Sequence, residues 1–190
     1  MDPFPLFDEW FAEAKANEPS DPNAMALGTA TKDGRPSVRI VLLKEHGPDG
    51  LIFYTNKHSR KGEELGANPH AAATFHWKST YKQVRIEGPI EELPASANDA
   101  YFHSRDRDKQ LAAAASDQSR PLPDRETFLT RIKTLEKQYP SGDLPRPDHW
   151  GGYRIVPERI EFWEGTQTRM HHRRLFVRSG EDWHEGLLYP

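Results

Sequence analysis

Along this chain the spacing of apolar residues switches between helical and strand periods, and the switches divide it into elements. Phe7, Trp10, Phe11 and Ala14 fall on one stripe, predicting a short amphipathic helix over 4–16 that Asp21-Pro22-Asn23 ends. Residues 25–31 and 37–44 read as a hairpin around Lys32-Asp33-Gly34-Arg35-Pro36. His46-Gly47-Pro48-Asp49-Gly50 reads as the next turn, before a third strand over 51–55. A helix opens at Ser59 and stops at Asn68-Pro69, and two strands follow over 70–77 and 81–93. Helices are predicted over 94–104, 108–116 and 124–139. A Pro/Gly-rich stretch, 140–152, leads into strands near 153–156, 159–164, 171–178 and 183–189. Strands joined by short turns, with helices inserted, predict a mainly β (α+β) fold, a Greek-key-like antiparallel barrel with peripheral helices.

Length and charge narrow the picture. At 190 residues a single domain is expected, with an N-terminal helix within 1–20, a helical insertion over 94–140 and C-terminal strands over 150–190. A net charge of −3 gives no general attraction to nucleic acid, so basic clusters have to be read locally. The absence of cysteine excludes disulfides, a thiol nucleophile and thiolate metal sites, and suits a cytoplasmic protein. Met1-Asp2-Pro3-Phe4 starts no basic-then-apolar segment, so no signal peptide is expected. No apolar run is long enough to span a bilayer, and no membrane partner is expected.

Cations punctuate the predicted elements. Ser59 is a natural N-cap, and Arg60 and Lys61 then put positive charge at the positive end of the helix dipole. That placement costs a few tenths to about 1 kcal/mol unless an anion compensates. A phosphate there would accept the free amides and pair with both side chains; two solvated cations are the alternative. On the strand over 37–44, Arg39 and Lys44 are an odd number apart and point to opposite faces of a regular strand. Lys44 falls near the strand end, where both could serve adjacent pockets; the alternative is a core strand with charged ends. Tyr101, Arg105 and Lys109 are spaced four apart, one row if their helix is continuous, offering a phenol and two cations to an anion or to water. In Arg169-Met170-His171-His172-Arg173, period two sends Arg169, His171 and Arg173 to one face, toward solvent or an anionic aromatic ligand. Gln83 alternates onto the polar side of its strand, where it meets either water or a heterocycle. Gln118-Ser119, past a helix end, offers donors of the kind a phosphate takes. Adjacent histidines lack the same-face spacing of a zinc pair, so no metal is expected. No Walker-type loop, GxGxxG fingerprint or nucleophile elbow is present. Separated cationic sites on a small barrel favour one or two small phosphorylated ligands over a polymer.

The ordered set of motifs resembles the pyridoxine/pyridoxamine 5′-phosphate oxidase family. It comprises Arg39-Ile-Val-Leu-Leu-Lys44, Phe53-Tyr-Thr-Asn56, Ser59-Arg-Lys61, Gln83-Val-Arg-Ile-Glu-Gly88 and Tyr101-Phe-His-Ser-Arg105. Gln118-Ser119, Trp150-Gly-Gly-Tyr153, Glu161-Phe-Trp163 and Arg169-Met-His171 continue it over nearly the whole chain. The resemblance implies an FMN-binding split β-barrel, a homodimer with FMN at the subunit interface. Carried over by position, it implies that Arg39, Ile40, Val41, Leu42, Leu43, Tyr54, Thr55, Arg60, Lys61, Gln83, Gln118, Ser119, Trp163 and Arg173 contact FMN. Lys44, Tyr101, Arg105 and Lys109 would hold the phosphate of the vitamin B6 substrate, with Arg169, Met170 and His171 against its ring and Arg169 and His171 catalytic. The implied reaction is oxidation of pyridoxamine or pyridoxine 5′-phosphate to pyridoxal 5′-phosphate, with a hydride passing to the flavin and dioxygen leaving as hydrogen peroxide.

Several positions depart from the family pattern. Lys109 stands where a small hydroxyl residue is usual, Asp106 for a proline, Ala112 for a glycine, and His172 for an aspartate. Asp106 and Ala112 leave open a continuous, differently placed helix through Arg105 beside the two separate helices read from periodicity. The end, Leu187-Leu188-Tyr189-Pro190, lacks the family's arginine, and the family's N-terminal arm with its Arg and Tyr has no counterpart. A same-fold flavin oxidase acting on another small molecule, as in phenazine formation, and a non-catalytic FMN or pyridoxal-phosphate binder are the competing expectations.

Overall fold

A computed structural model describes residues 2–140 and 144–190. Helix α1 (Phe4–Asn17) precedes the hairpin β1 (Ala24–Ala30) and β2 (Pro36–Leu42), then β3 (Glu45–Gly47) and β4 (Gly50–Asn56). Helix α2 (Arg60–Ala67) leads to β5 (His70–Trp77) and β6 (Lys82–Glu92). Three helices follow, α3 (Ala95–Ser104), α4 (Arg107–Ala115) and α5 (Arg125–Gln138). Strands β7 (Trp150–Ile155), β8 (Arg159–Glu164), β9 (His172–Ser179) and β10 (Asp182–Leu187) complete the described chain.

The sheet runs β10-β9-β8-β6-β5-β1-β2, and its described pairings are antiparallel. Strand β6 is long enough to serve two partners: Lys82–Glu87 pair with β8, and Ile90–Glu92 with β7, which carries β4. The bend between them falls at Gly88, where a Cβ would come 1.9 Å from the Val156 carbonyl oxygen, so only glycine fits. The sheet thereby curls around one core. Alternation on β1 turns Met25, Leu27 and Thr29 inward, and β5 does the same with Ala71, Ala73, Phe75 and Trp77. Helix α1 closes the core with the stripe Phe4, Phe7, Trp10, Phe11 and Ala14. Phe7 meets Phe75 and His46 edge-on at 5.5 and 5.0 Å. A second, smaller cluster gathers Phe102, Leu111, Leu144 and Trp150 under Tyr54 and Tyr101.

Four expectations are corrected. Residues 45–47 are a strand, not part of the turn, because Pro48-Asp49 alone span the hairpin from Gly47 to Gly50. Strand β2 is an edge strand rather than a core strand, and Val38 and Ile40 are 70% and 64% exposed. The row Tyr101–Arg105–Lys109 does not lie on one helix, since Arg105 turns extended (ψ 152°) and Asp106 opens α4 anew. Arg169 is not in register with Arg173, because it sits in a turn with φ +62°, before β9 begins. Residues 141–143 of the Pro/Gly-rich stretch lie outside the described residues.

Candidate functional site

Helix α2 begins as its sequence dictates. The Ser59 hydroxyl accepts from the Gly62 amide at 3.4 Å and donates to the Asn56 carbonyl at 2.6 Å, tying the cap to the end of β4. Gly62 packs so closely on Lys57 that a Cβ would meet its carbonyl oxygen at 2.2 Å. Lys61 is drawn inward by this geometry, and its ammonium donates to Thr55 and Gln118 at 3.0 Å and to Ser59 at 3.3 Å. These acceptors are neutral, and among the described residues no carboxylate pairs with Lys61. Burial, with Arg39 nearby, pulls its pKa down to about 8.

One buried carboxylate organises the arginines beside it. Glu64 accepts from Thr29 and Ser37 at 2.5 Å and from Arg39 Nη2 at 3.2 Å on one oxygen, and from Arg60 Nε at 2.9 Å on the other. Burial alone would raise its pKa, but these hydrogen bonds outweigh it and hold the carboxyl at about 2. Glu64 thus joins β1, β2 and α2 and keeps two guanidinium groups side by side.

Arg39, Arg60 and Lys61 line a cavity of about 1130 Å³. Strand β2 lines it with Ile40, Val41 and Leu42, β4 with Tyr54 and Thr55, and the loop after α4 with Gln118 and Ser119. Lys44, Tyr101, Arg105 and Lys109 line it as well. Arg39 and Lys44 share the cavity despite their odd spacing because β2 ends at Leu42 and Leu43 turns into the core. Leu43 is therefore a core side chain and not a cavity wall. Tyr101 stacks on Tyr54 at 4.0 Å and Tyr54 on Trp150 at 5.2 Å, making an aromatic wall, while burial raises the Tyr54 pKa to about 12. Arg105 lies over Trp150, and its Nη1 is buried without a partner. The Lys109 ammonium is held by Asp106 at 2.6 Å, and both side chains are exposed.

The remaining predicted residues form a separate face. Gln83, Trp163 and Arg173 are cross-strand partners in successive strands β6, β8 and β9. Arg173 Nε donates to buried Glu161 at 2.7 Å, and its Nη1 to the Tyr189 carbonyl at 2.9 Å. The His171 ring lies 4.7 Å from that of Trp163, and its Nδ1 accepts the Thr166 amide at 3.1 Å. Nδ1 is thus the acceptor and Nε2 carries the proton of the neutral ring. Arg169 and Met170 are exposed beside it. None of these residues lines the cavity.

Glu64, Trp150 and Glu161 were not singled out as site residues from the sequence. Glu64 reads there as an ordinary i,i+4 helix pair with Arg60, and its cross-strand partners are brought to it only by the fold.

Comparison with known proteins defines first the class, then the family. The protein PhzG from Burkholderia lata 383, solved in complex with tetrahydrophenazine-1-carboxylic acid, superposes with a TM-score of 0.93 at 35% identity, covering 100% of this chain and 93% of its own. A pyridoxamine 5′-phosphate oxidase-related, FMN binding protein from Nostoc punctiforme has the same fold, with a TM-score of 0.80 at 17% identity over 100% of this chain and 99% of its own. The curled sheet is the split barrel of these proteins.

A family model described as pyridoxamine 5′-phosphate oxidase matches residues 11–139, and one described as pyridoxine 5′-phosphate oxidase C-terminal dimerisation region matches residues 150–190. A relative from Novosphingobium aromaticivorans named pyridoxine/pyridoxamine 5′-phosphate oxidase is 58% identical over 190 residues, covering 100% of this chain and 94% of its own length. One of the same name from Sphingopyxis alaskensis is 57% identical, covering 100% and 88%. The chain belongs to the pyridoxamine 5′-phosphate oxidase family, and its C-terminal region is that family's dimerisation region. Among the described residues no helix is long and apolar enough to cross a membrane.

Proposed function

We propose that the protein is an FMN-dependent oxidase that converts pyridoxamine or pyridoxine 5′-phosphate to pyridoxal 5′-phosphate. The alcohol loses two electrons and two protons, which dioxygen carries away as hydrogen peroxide; the amine also consumes water and releases ammonia. The observation that carries this reading is the set of cations lining one cavity, Arg39, Arg60 and Lys61 from β2 and α2, and Lys44 and Arg105 from the ends of β2 and α3. Two phosphoesters fit two such groups, and Lys61 and Arg105 both lack a carboxylate partner among the described residues.

Arg60 and Lys61 bind the flavin phosphate, with Gln118 and Ser119 beside them and Arg39 held in place by Glu64. Ile40, Val41, Leu42, Tyr54 and Thr55 form the wall along the flavin. Bound FMN supplies the two-electron acceptor that dioxygen restores. Lys44, Tyr101 and Arg105 bind the substrate phosphate and fix the reacting carbon in place. Gln83, Trp163 and Arg173 come from a second copy of the chain and complete the flavin site. The exposed apolar edge strand β2 at the cavity mouth, and the location of these three residues on another face, support that arrangement. Arg169 and His171 orient the substrate against the flavin, His171 as a hydrogen-bond donor through Nε2.

Purified protein loaded with FMN and given pyridoxine 5′-phosphate in air tests the reading. Equimolar aldehyde and peroxide are expected. Flavin that stays oxidised would refute an oxidase, and flavin reduced only by a phenazine precursor would move the activity to the chemistry of the PhzG relative.

A further inference from the structure

The indole of Trp150 lines the cavity and stands behind the guanidinium of Arg105. At the joint between α3 and α4 the Arg105 carbonyl accepts from Gln110 Nε2 at 2.7 Å, and its amide donates to the Phe102 carbonyl at 3.3 Å. Gln110 is itself buried and reaches the His103 carbonyl as well, at 3.4 Å, so one side chain stitches the end of α3 to α4. The main chain of Arg105 is pinned on both sides. Its side chain makes no close ion pair among the described residues: Nη1 is buried without a partner, and the neighbouring Asp106, whose carboxylate is held by Lys109, acts on it only from a distance. Cζ lies 4.9 Å from the centroid of the Trp150 ring instead.

Trp150 is in turn immobilised. Tyr54 stacks on it with an interplanar angle of 10°, Phe102 meets it edge-on at 5.2 Å, and Arg146 Nη1 donates to its carbonyl at 2.7 Å. A fixed π face attracts a desolvated cation without neutralising it, unlike a carboxylate, which would compete with an incoming anion. Such a platform also confines the guanidinium to one plane and leaves its edge donors for a planar or tetrahedral oxyanion.

We propose that Trp150 is a positioning residue that holds Arg105 ready for the substrate's phosphate and thereby sets the preference for phosphorylated substrates. This rests on the proposed function only in taking the anion at Arg105 to be the substrate's phosphate.

The test uses FMN-loaded protein carrying Trp150→Leu or Trp150→Phe. Trp150→Leu is expected to raise the KM for pyridoxine 5′-phosphate about tenfold, with kcat within about twofold and flavin affinity within about threefold of the wild type. Trp150→Phe keeps a weaker π face and is expected to hold KM to a rise of about two- to threefold. The dissociation constant of inorganic phosphate, measured by calorimetry on the FMN-loaded proteins, should rise in parallel. An unchanged KM and phosphate affinity in Trp150→Leu would overturn the proposal, as would a fall of kcat and flavin affinity in step with the rise in KM. Where Trp150→Leu does not fold, Trp150→Phe decides: unchanged KM and phosphate affinity overturn the proposal, and a rise in both supports it. A wild type that oxidises no B6 phosphate would refute the proposed function alone, since weaker phosphate binding by Trp150→Leu would still support the positioning role and equal binding would still overturn it.

Discussion

Glu64 and Trp150 occupy corresponding places behind the two cationic pockets, yet one carries a full charge and the other only a π face. Glu64 compensates Arg39 and Arg60 directly, so that pocket is electrostatically set before any anion arrives. Lys61 within it is held by neutral acceptors, and Arg105 in the other pocket by a ring, with the Asp106 charge acting on it only from a distance. The difference separates two tasks. A buried counter-charge stabilises the fold, whereas an undercompensated cation leaves its Coulombic gain for the ligand.

The largest effect that could break this contrast is on stability. Glu64→Leu should destabilise the ligand-free protein by about 3–5 kcal/mol in urea denaturation, because two guanidinium groups and two hydroxyls lose their acceptor. The same carboxylate predicts the acid limb. A carboxyl held at about 2 contributes stability that is complete above its unfolded value, near 4.5, and is lost as pH falls toward 2. A loss in Glu64→Leu below about 1 kcal/mol would mean that the arginines find other partners.

The next effect is on flavin binding. Arg60→Ala with Lys61→Ala should weaken FMN binding by about 3 kcal/mol, on the order of a hundredfold, with little effect on riboflavin. Equal losses for FMN and riboflavin in fluorescence titrations would remove the phosphate assignment.

Proton linkage sharpens the contrast further. Burial lowers Lys61 to about 8, so in the ligand-free protein it loses its proton between about pH 7 and 9. A phosphate dianion favours the ammonium, so FMN affinity should hold below pH 8 and fall above it. Calorimetry in buffers of different ionisation enthalpy should show proton uptake on binding near zero at pH 7 and approaching one at about pH 9. The smallest effect expected is that of Lys109→Ala. Its ammonium is exposed and already paired with Asp106, so KM for the phosphorylated substrate should change by less than about twofold.

Much of this site was legible in the chain because its cations sit at element ends. Ser59-Arg60-Lys61 marks a helix start, and the cap forms with the hydroxyl and amide that the sequence names. What the sequence withheld depends on distant partners. The periodicity already ends one helix at Ser104 and starts the next at 108, but what fixes that break, Gln110 binding the carbonyls of His103 and Arg105, depends on the fold. Val38 and Ile40 read as core residues because alternating apolar strands normally bury one face, and an edge strand shows that face only once the sheet order is known. The resemblance names Gln83, Trp163 and Arg173, but their alignment in one row is not readable from the sequence, since it depends on the register of three strands. By contrast, the period-two row through Arg169 fails where the turn at φ +62° interrupts the strand.

A crystal structure of the protein with FMN and pyridoxal 5′-phosphate bound tests the central claim most directly. One phosphate should lie within hydrogen-bonding distance of Arg60 and Lys61 at the start of α2, and the other against Arg105 in front of Trp150. Either phosphate found outside its pocket, with those side chains turned to solvent, would contradict the account.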